Sequence, residues 1–124
     1  MIFNTATPAA GGGSSSWTDV SSDFENALDA VGFGAVNAYT NGSTVWLYVL
    51  DLMPSGAEFD LPSGYMPLSD VVFPAYATSD EPVDDVTASM CVLTPSTSGH
   101  PNGTLSLPEP SNYNYTFTII YPIA

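Results

Sequence analysis

The stretch "FGAVNAYTNGSTVWLYVLDL", residues 33–52, decides the fold class. Residues 33–40 are a strand-like run closed by Asn41-Gly42, a dipeptide that favours a tight reversal of the chain. Residues 43–52 follow at once and are dense in β-branched and aromatic side chains, which suit a pleated, half-buried surface. Two such runs around Asn-Gly predict an antiparallel hairpin. Downstream the pattern repeats. "GAEFDL" (56–61) alternates, "DVVFPAY" (70–76) follows a proline-rich turn, and "DVTASMCVL" (85–93) follows an acidic loop. "NGTLSL" (102–107) and "NYNYTFTIIYPI" (112–123) complete the chain. About seven or eight short strands separated by turns predict an all-β domain, a β-sandwich or jelly-roll-like head.

The last run carries the clearest facial pattern. Tyr113, Tyr115, Phe117, Ile119 and Tyr121 alternate with Asn114, Thr116, Thr118 and Ile120. Successive side chains of a strand point to opposite faces. The aromatic set is therefore expected against the core or a subunit interface, on a strand central to the sheet.

Upstream, "VSSDFENALDAVG" places Val20, Phe24, Ala27, Leu28 and Val31 at helical spacing, with Ser21 or Ser22 placed to cap it. The segment reads either as a short helix or as an irregular arm, and irregular structure with a helical turn is the expectation. Residues 1–16 form a separate, extended N-terminal arm. Met1, Ile2 and Phe3 make an apolar hook, and "ATPAAGGGSSS" has the composition of a flexible tether. The domain boundary falls between the arm and a head of residues 17–124. The hook is the expected point of attachment to a larger assembly.

Charge excludes more functions than any motif. The 124-residue chain has 13 Asp and Glu, no Lys or Arg, and one His, for a net charge of −13. A nucleic-acid-binding protein neutralises phosphates with Lys and Arg, so DNA and RNA are excluded as direct partners. Anionic membrane surfaces are excluded by the same sign argument. With 44% apolar residues the chain still has the means to fold. Its stability has to come from apolar burial and backbone hydrogen bonds. Copies repel one another, so an oligomer requires apolar contacts or bridging cations.

The single Cys91, in "SMCVL", reads as a buried inert thiol. "MIFNTATPAA" lacks the basic start and long apolar stretch of a secretory signal. Release by cell lysis fits that reading. The three Asn-x-Ser/Thr triplets, at Asn41, Asn102 and Asn114, are read as unmodified.

Catalytic candidates are sparse. His100 lies among turn residues in "SGHPNG", where a surface histidine is commoner than one of a Ser–His–Asp triad. Glu58 and Asp60 share one strand face, as the carboxylates of a glycoside hydrolase can, and as any polar exposed face does. No catalytic residue is assigned. The run "SDEPVDD" offers Asp80, Glu81, Asp84 and Asp85, oxygen ligands of the kind calcium takes, without EF-hand spacing. A solvated loop is its ordinary reading. Tyr76, Tyr113 and Tyr115 near strand ends are the aromatics on which a sugar ring would stack, set against their ordinary role in the core.

Several of these pieces occur in a familiar order. Trp17-Thr18-Asp19 opens the head, and a "VWLYV" strand follows. Next comes the turn Leu61-Pro62-x-Gly64-Tyr65-x-Pro67, then the Asn102-Gly103-Thr104 hairpin, and then a final aromatic strand. Over residues 17–124 the chain resembles the head domain of bacteriophage tail-fibre and receptor-binding proteins. Met66 stands where that family's turn commonly has arginine. The resemblance implies a virion structural protein, commonly a homotrimer, with loops turned to a host-cell surface glycan and other virion proteins held by the N-terminal arm. A capsid-attached head fibre or decoration protein is the second reading, and a glycan hydrolase the third. The implied location is the virion, assembled in the host cytoplasm. No cofactor is expected beyond calcium at Asp80, Glu81, Asp84 or Asp85. That acidic loop and Tyr76 are the candidate receptor contacts. In this setting the 61–67 turn reads as a rigid corner, since two prolines fix φ and Gly64 admits a positive one.

Overall fold

The computed structural model describes residues 16–28, 32–53, 58–79, 85–108 and 113–124. It contains β1 (Thr18–Asp19), α1 (Ser21–Leu28), β2 (Ala35–Thr40), β3 (Thr44–Leu52) and β4 (Glu58–Asp60). These are followed by β5 (Val71–Ser79), β6 (Asp85–Thr94), β7 (Thr104–Ser106) and β8 (Asn114–Pro122). The all-β class expected from the sequence is what forms. All eight strands belong to one antiparallel sheet in the order β1-β2-β3-β8-β5-β6-β7-β4, so the division into two sheets implied by a sandwich is not drawn.

The sheet curls on itself. Phe24 and Leu28 of α1, Leu47 of β3 and Phe117 of β8 line one apolar hollow together with Phe59 of β4 and Leu105 of β7. Strands from opposite halves of the order therefore face each other across the core, with α1 beside them. Burial follows the alternation. Val45, Leu47 and Val49 point inward from β3, and Phe73, Ala75 and Ala77 from β5. Cys91 and Leu93 point inward from β6, and Tyr115, Phe117, Ile119 and Tyr121 from β8. The last set is the aromatic face expected inside. β8 lies between β3 and β5, fourth in an order of eight, so it is central as expected.

The Asn41-Gly42 reversal joins β2 to β3, with Thr40 paired to Val45. Only Gly42 of the pair takes a positive φ, of 97°. Asn41 contributes its side chain instead: Oδ1 accepts hydrogen bonds from the backbone N–H groups of Ser43 (3.0 Å) and Thr44 (2.9 Å). Toward the other end of β3 the register with β8 shifts between Val49 and Leu52. Asp51 sits in that shift with φ 53°, and its N–H donates to Thr116 Oγ1 at 3.1 Å.

Residues 21–28 correct the expectation of irregular structure. They form an α-helix because Phe24 and Leu28, one turn apart, are both buried in the core. Neither serine capped in the expected way. Asp19 Oδ1 accepts from Ser21 N–H at 2.9 Å, while Ser21 Oγ takes the N–H of Ala38 on β2 at 2.9 Å and so pins the helix to the sheet.

The 61–70 corner closes the molecule at one end. Gly64 has φ 99°, the conformation that motivated the glycine. Tyr65 folds back onto the domain: its ring packs 5.1 Å from Phe24, and its hydroxyl donates to Asp23 at 2.6 Å. That hydrogen bond, first of all, raises the phenol to about 12. The backbone carbonyl of Tyr65 accepts from the hydroxyl of Tyr121 at 2.9 Å, and Pro67 bridges to Ile123. The corner is thus bonded to helix and central strand at once. Pro74 has no backbone N–H to give to a ladder, and such a residue ordinarily ends pairing or marks an edge strand. β5 is not an edge strand, and Pro74 faces Met90 of β6, but the pairing of β5 with β8 covers only Tyr76–Thr78 and stops short of the proline.

Candidate functional site

The strands give the head two ends. At one lie Thr40 and Thr44 of the β2–β3 reversal, Pro122 of β8, Val71 of β5 and Thr94 of β6, all brought level by the registers. At the other lie Ser79 and Asp85, paired as the last rung of the β5–β6 hairpin, with Asn114 and Leu52 beside them. β5 and β6 are long strands, of 9 and 10 residues. At about 3.3 Å per residue they hold their connection roughly 26 Å from the corner.

The nominated loop is that connection. Asp80, Glu81 and Asp84 lie outside the described residues, and of Asp85 the backbone alone is described, opposite Ser79. Their carboxylates therefore cannot be placed relative to one another. Tyr76, nominated with them, stands three residues before Ser79 on the outer face of β5 and is 59% exposed, in line with Thr116 of β8 and Ala88 of β6. Of the other two tyrosines considered for sugar stacking, Tyr115 is wholly buried and Tyr113 is packed against the core, so both are corrected to structural roles. Alternation along β8 separates them from Tyr76.

Trp17 and Thr18 stand at the corner end, since Thr18 pairs with Thr40 and Asp19 with Tyr39. The chain enters the head there, opposite the β5–β6 connection. Met1, Ile2 and Phe3 lie outside the described residues.

A second constellation emerges that was read only as separate pieces. Glu58 and Asp60 lie on β4, the last strand of the sheet order. β7 carries the 97–103 turn beside them, through the pairing of Asp60 with Thr104, and His100 comes between the two carboxylates. Its Nδ1 is 2.5 Å from Asp60 Oδ1, and its Nε2 is 3.4 Å from Glu58 Oε1. The hydrogen bond to Asp60 raises the imidazole above its ordinary 6.5, aided by the negative charge of both carboxylates and opposed by slight desolvation. All three side chains reach solvent. Chemically the arrangement is a clasp: both ring nitrogens are engaged by carboxylates, which ties the 97–103 turn to the sheet edge. Among the described residues no group of three or more His, Cys, Asp and Glu side chains is arranged to hold a metal ion. Cys91 is buried, and burial pushes its thiol up to about 11, which keeps it protonated and inert at neutral pH. No helix among the described residues is long and apolar enough to cross a membrane.

No protein-family model, no curated protein and no solved structure matches the chain.

Proposed function

We propose that the protein is a small bacteriophage virion structural protein, a fibre or receptor-binding head held to the particle by residues 1–16. The single observation that carries this reading is the polarity of the head. The chain enters beside Thr40 at the corner end, and the Ser79–Asp85 rung, between whose residues the run of carboxylates lies in sequence, stands at the opposite end. A head that must be anchored at one end and meet a surface with the other needs this separation, and functional residues gather on loops that a rigid scaffold holds steady. The resemblance of residues 17–124 to phage receptor-binding heads points the same way, as does a charge that removes nucleic acid and anionic membranes from the possible partners. On this reading several copies assemble, other virion proteins grip the arm, and the loop end meets a host surface glycan.

A truncation starting at Ser16 tests the division of labour. Gly and Ser bury little apolar surface, so the truncated head is expected to fold and to adsorb to host cells, and to be missing from assembled particles. A truncated chain that still joins the particle, or one that cannot fold, removes the arm from this role.

A further inference from the structure

The outer face of the sheet does not match the rest of the surface. Tyr76 pairs with Thr116 of β8, whose outward face also carries Ile120, and Val72, on the same face of β5 as Tyr76, pairs with Val92 of β6. In the next row Pro74 pairs with Met90. Val72 and Tyr76 are each 59% exposed, and Met90 and Ile120 each 55%. Pro74 between them is exposed as well. Five side chains of this size expose on the order of 400 Å², comparable with the largest apolar patch of an ordinary monomer. None of these outward positions is a carboxylate. The described acidic side chains lie elsewhere: Asp19, Asp23 and Glu25 at β1 and α1, Asp51 in the β3 bulge, Glu58 and Asp60 on β4, and Asp70 before β5.

From this we infer that the outer face of β8, β5 and β6 is where a second copy of this chain docks. The choice of occupant rests on charge. A cationic protein would be drawn to the carboxylate-bearing edges at β1, α1 and β4 and would gain nothing electrostatic from this face. A copy of a chain with net charge −13 and no Lys or Arg has no such cation to offer, and a contact through the edges at β1, α1 or β4 would set carboxylates against carboxylates. Among the described residues, the apolar outer face of β8, β5 and β6 avoids this. Three copies around one axis can each turn the same face inward. Since a stable interface takes roughly 800 Å² from each partner, contact extends past the apolar centre onto the half-buried Thr116, Thr118 and Val92 beside it. The inference rests on the multimeric part of the reading above and is independent of its virion setting.

Sedimentation equilibrium of the full chain, at rising sodium chloride, tests it. The wild type is expected to sediment as a multiple of its 13.0 kDa mass and to associate more tightly as salt screens the repulsion. Val72→Asp/Met90→Asp should weaken association at least tenfold with an unchanged circular dichroism spectrum, and the milder Met90→Ser several-fold. Ser22→Asp/Asn26→Asp, which adds the same two charges on the exposed side of α1, should weaken it far less. A wild type that stays monomeric in high salt overturns the inference. So does a double variant that associates like the wild type, or association that weakens with salt, which would point to cation-mediated contacts. Whether the protein then joins particles is read separately by the truncation, so the two readings can fail independently.

Discussion

Gly103 shows how much a single position can constrain. It has φ 86°, and a Cβ built on it would stand 2.5 Å from the backbone carbonyl oxygen of Thr94. Its own carbonyl accepts from Leu61 N–H at 3.0 Å, so it joins the 61–70 corner to the start of β7. Gly42 has a similar φ of 97° with nothing within 4 Å of its Cβ position. Gly42→Ala should therefore cost only the left-handed strain, about 1 kcal/mol, while Gly103→Ala must also displace backbone and should cost at least about 3 kcal/mol. Urea denaturation of the two variants checks this, and equal losses would mean that the close approach to Thr94 is unimportant. His100 is the other informative residue, and as the chain's only histidine it gives one imidazole signal in NMR. Its folded pKa is raised above the ordinary 6.5, chiefly by the hydrogen bond to Asp60. A raised histidine contributes stability that is fully present below the unfolded value and is lost as pH rises through the folded one. The clasp should therefore weaken from about pH 6.5 upward. The NMR midpoint is expected above 6.5 and should fall in Asp60→Asn. A midpoint at or below 6.5 would show that the clasp does not persist in solution. The sequence showed Glu58 and Asp60 as an i, i+2 pair and His100 as a turn residue, but their meeting depends on the β4–β7 register and the 97–100 turn, 40 residues apart. No local pattern reports that.

At the scale of elements, the long strands were legible, while β1 was not and the helix was the less favoured of two readings, for one physical reason. Each of β2, β3, β5, β6 and β8 carries its period of two within 6 to 10 residues, so "STVWLYVLDL" and "NYNYTFTIIYPI" announced both their conformation and their inward faces. Residues 21–28 carry only two buried apolar anchors, Phe24 and Leu28, in eight residues. A helix that short is marginal on its own and forms because tertiary burial holds it. What tipped it was remote from it: the hollow lined by Leu47, Leu105 and Phe117, the ring of Tyr65, and the bond from Ala38 N–H to Ser21 Oγ. Phe24→Ala should accordingly cost about 3–5 kcal/mol, the usual range for deleting a buried aromatic ring, and more than the helix's own propensity could lose. Thermal unfolding followed by the near-ultraviolet circular dichroism of the aromatic side chains measures it. A loss near 1 kcal/mol would show that α1 is an appendage and that the curled sheet closes without it. The proline corner, expected to be rigid from its prolines, is in addition tied down by the bonds of Tyr65 to Asp23 and Tyr121.

For the whole molecule, everything turns on a chain with 13 carboxylates and no Lys or Arg to balance them. Such a protein meets an acidic wall polymer as one anion meets another, so a direct complex with it is disfavoured at any distance shorter than a Debye length, roughly 8 Å at physiological salt. On the proposed reading, two ligand chemistries are open to the loop end: a neutral sugar, with Tyr76 as the exposed aromatic face, or a polymer bridged by calcium through Asp80, Glu81, Asp84 and Asp85. The β5–β6 hairpin holds that loop at the end opposite the entry of the arm, so either ligand would be reached without disturbing attachment. The two chemistries separate in one adsorption experiment on host cells, with wild type and Asp80→Ala/Asp84→Ala, each with and without a chelator. Calcium bridging predicts that chelator and double substitution each reduce adsorption at least tenfold, with no further loss when combined. A neutral sugar predicts indifference to both and a tenfold or larger loss in Tyr76→Ala instead, since base-of-loop stacking would then carry the contact. Adsorption that survives the double substitution and Tyr76→Ala alike would move the contact off the β5–β6 end. Loss with chelator but not with the double substitution would place the cation at other carboxylates.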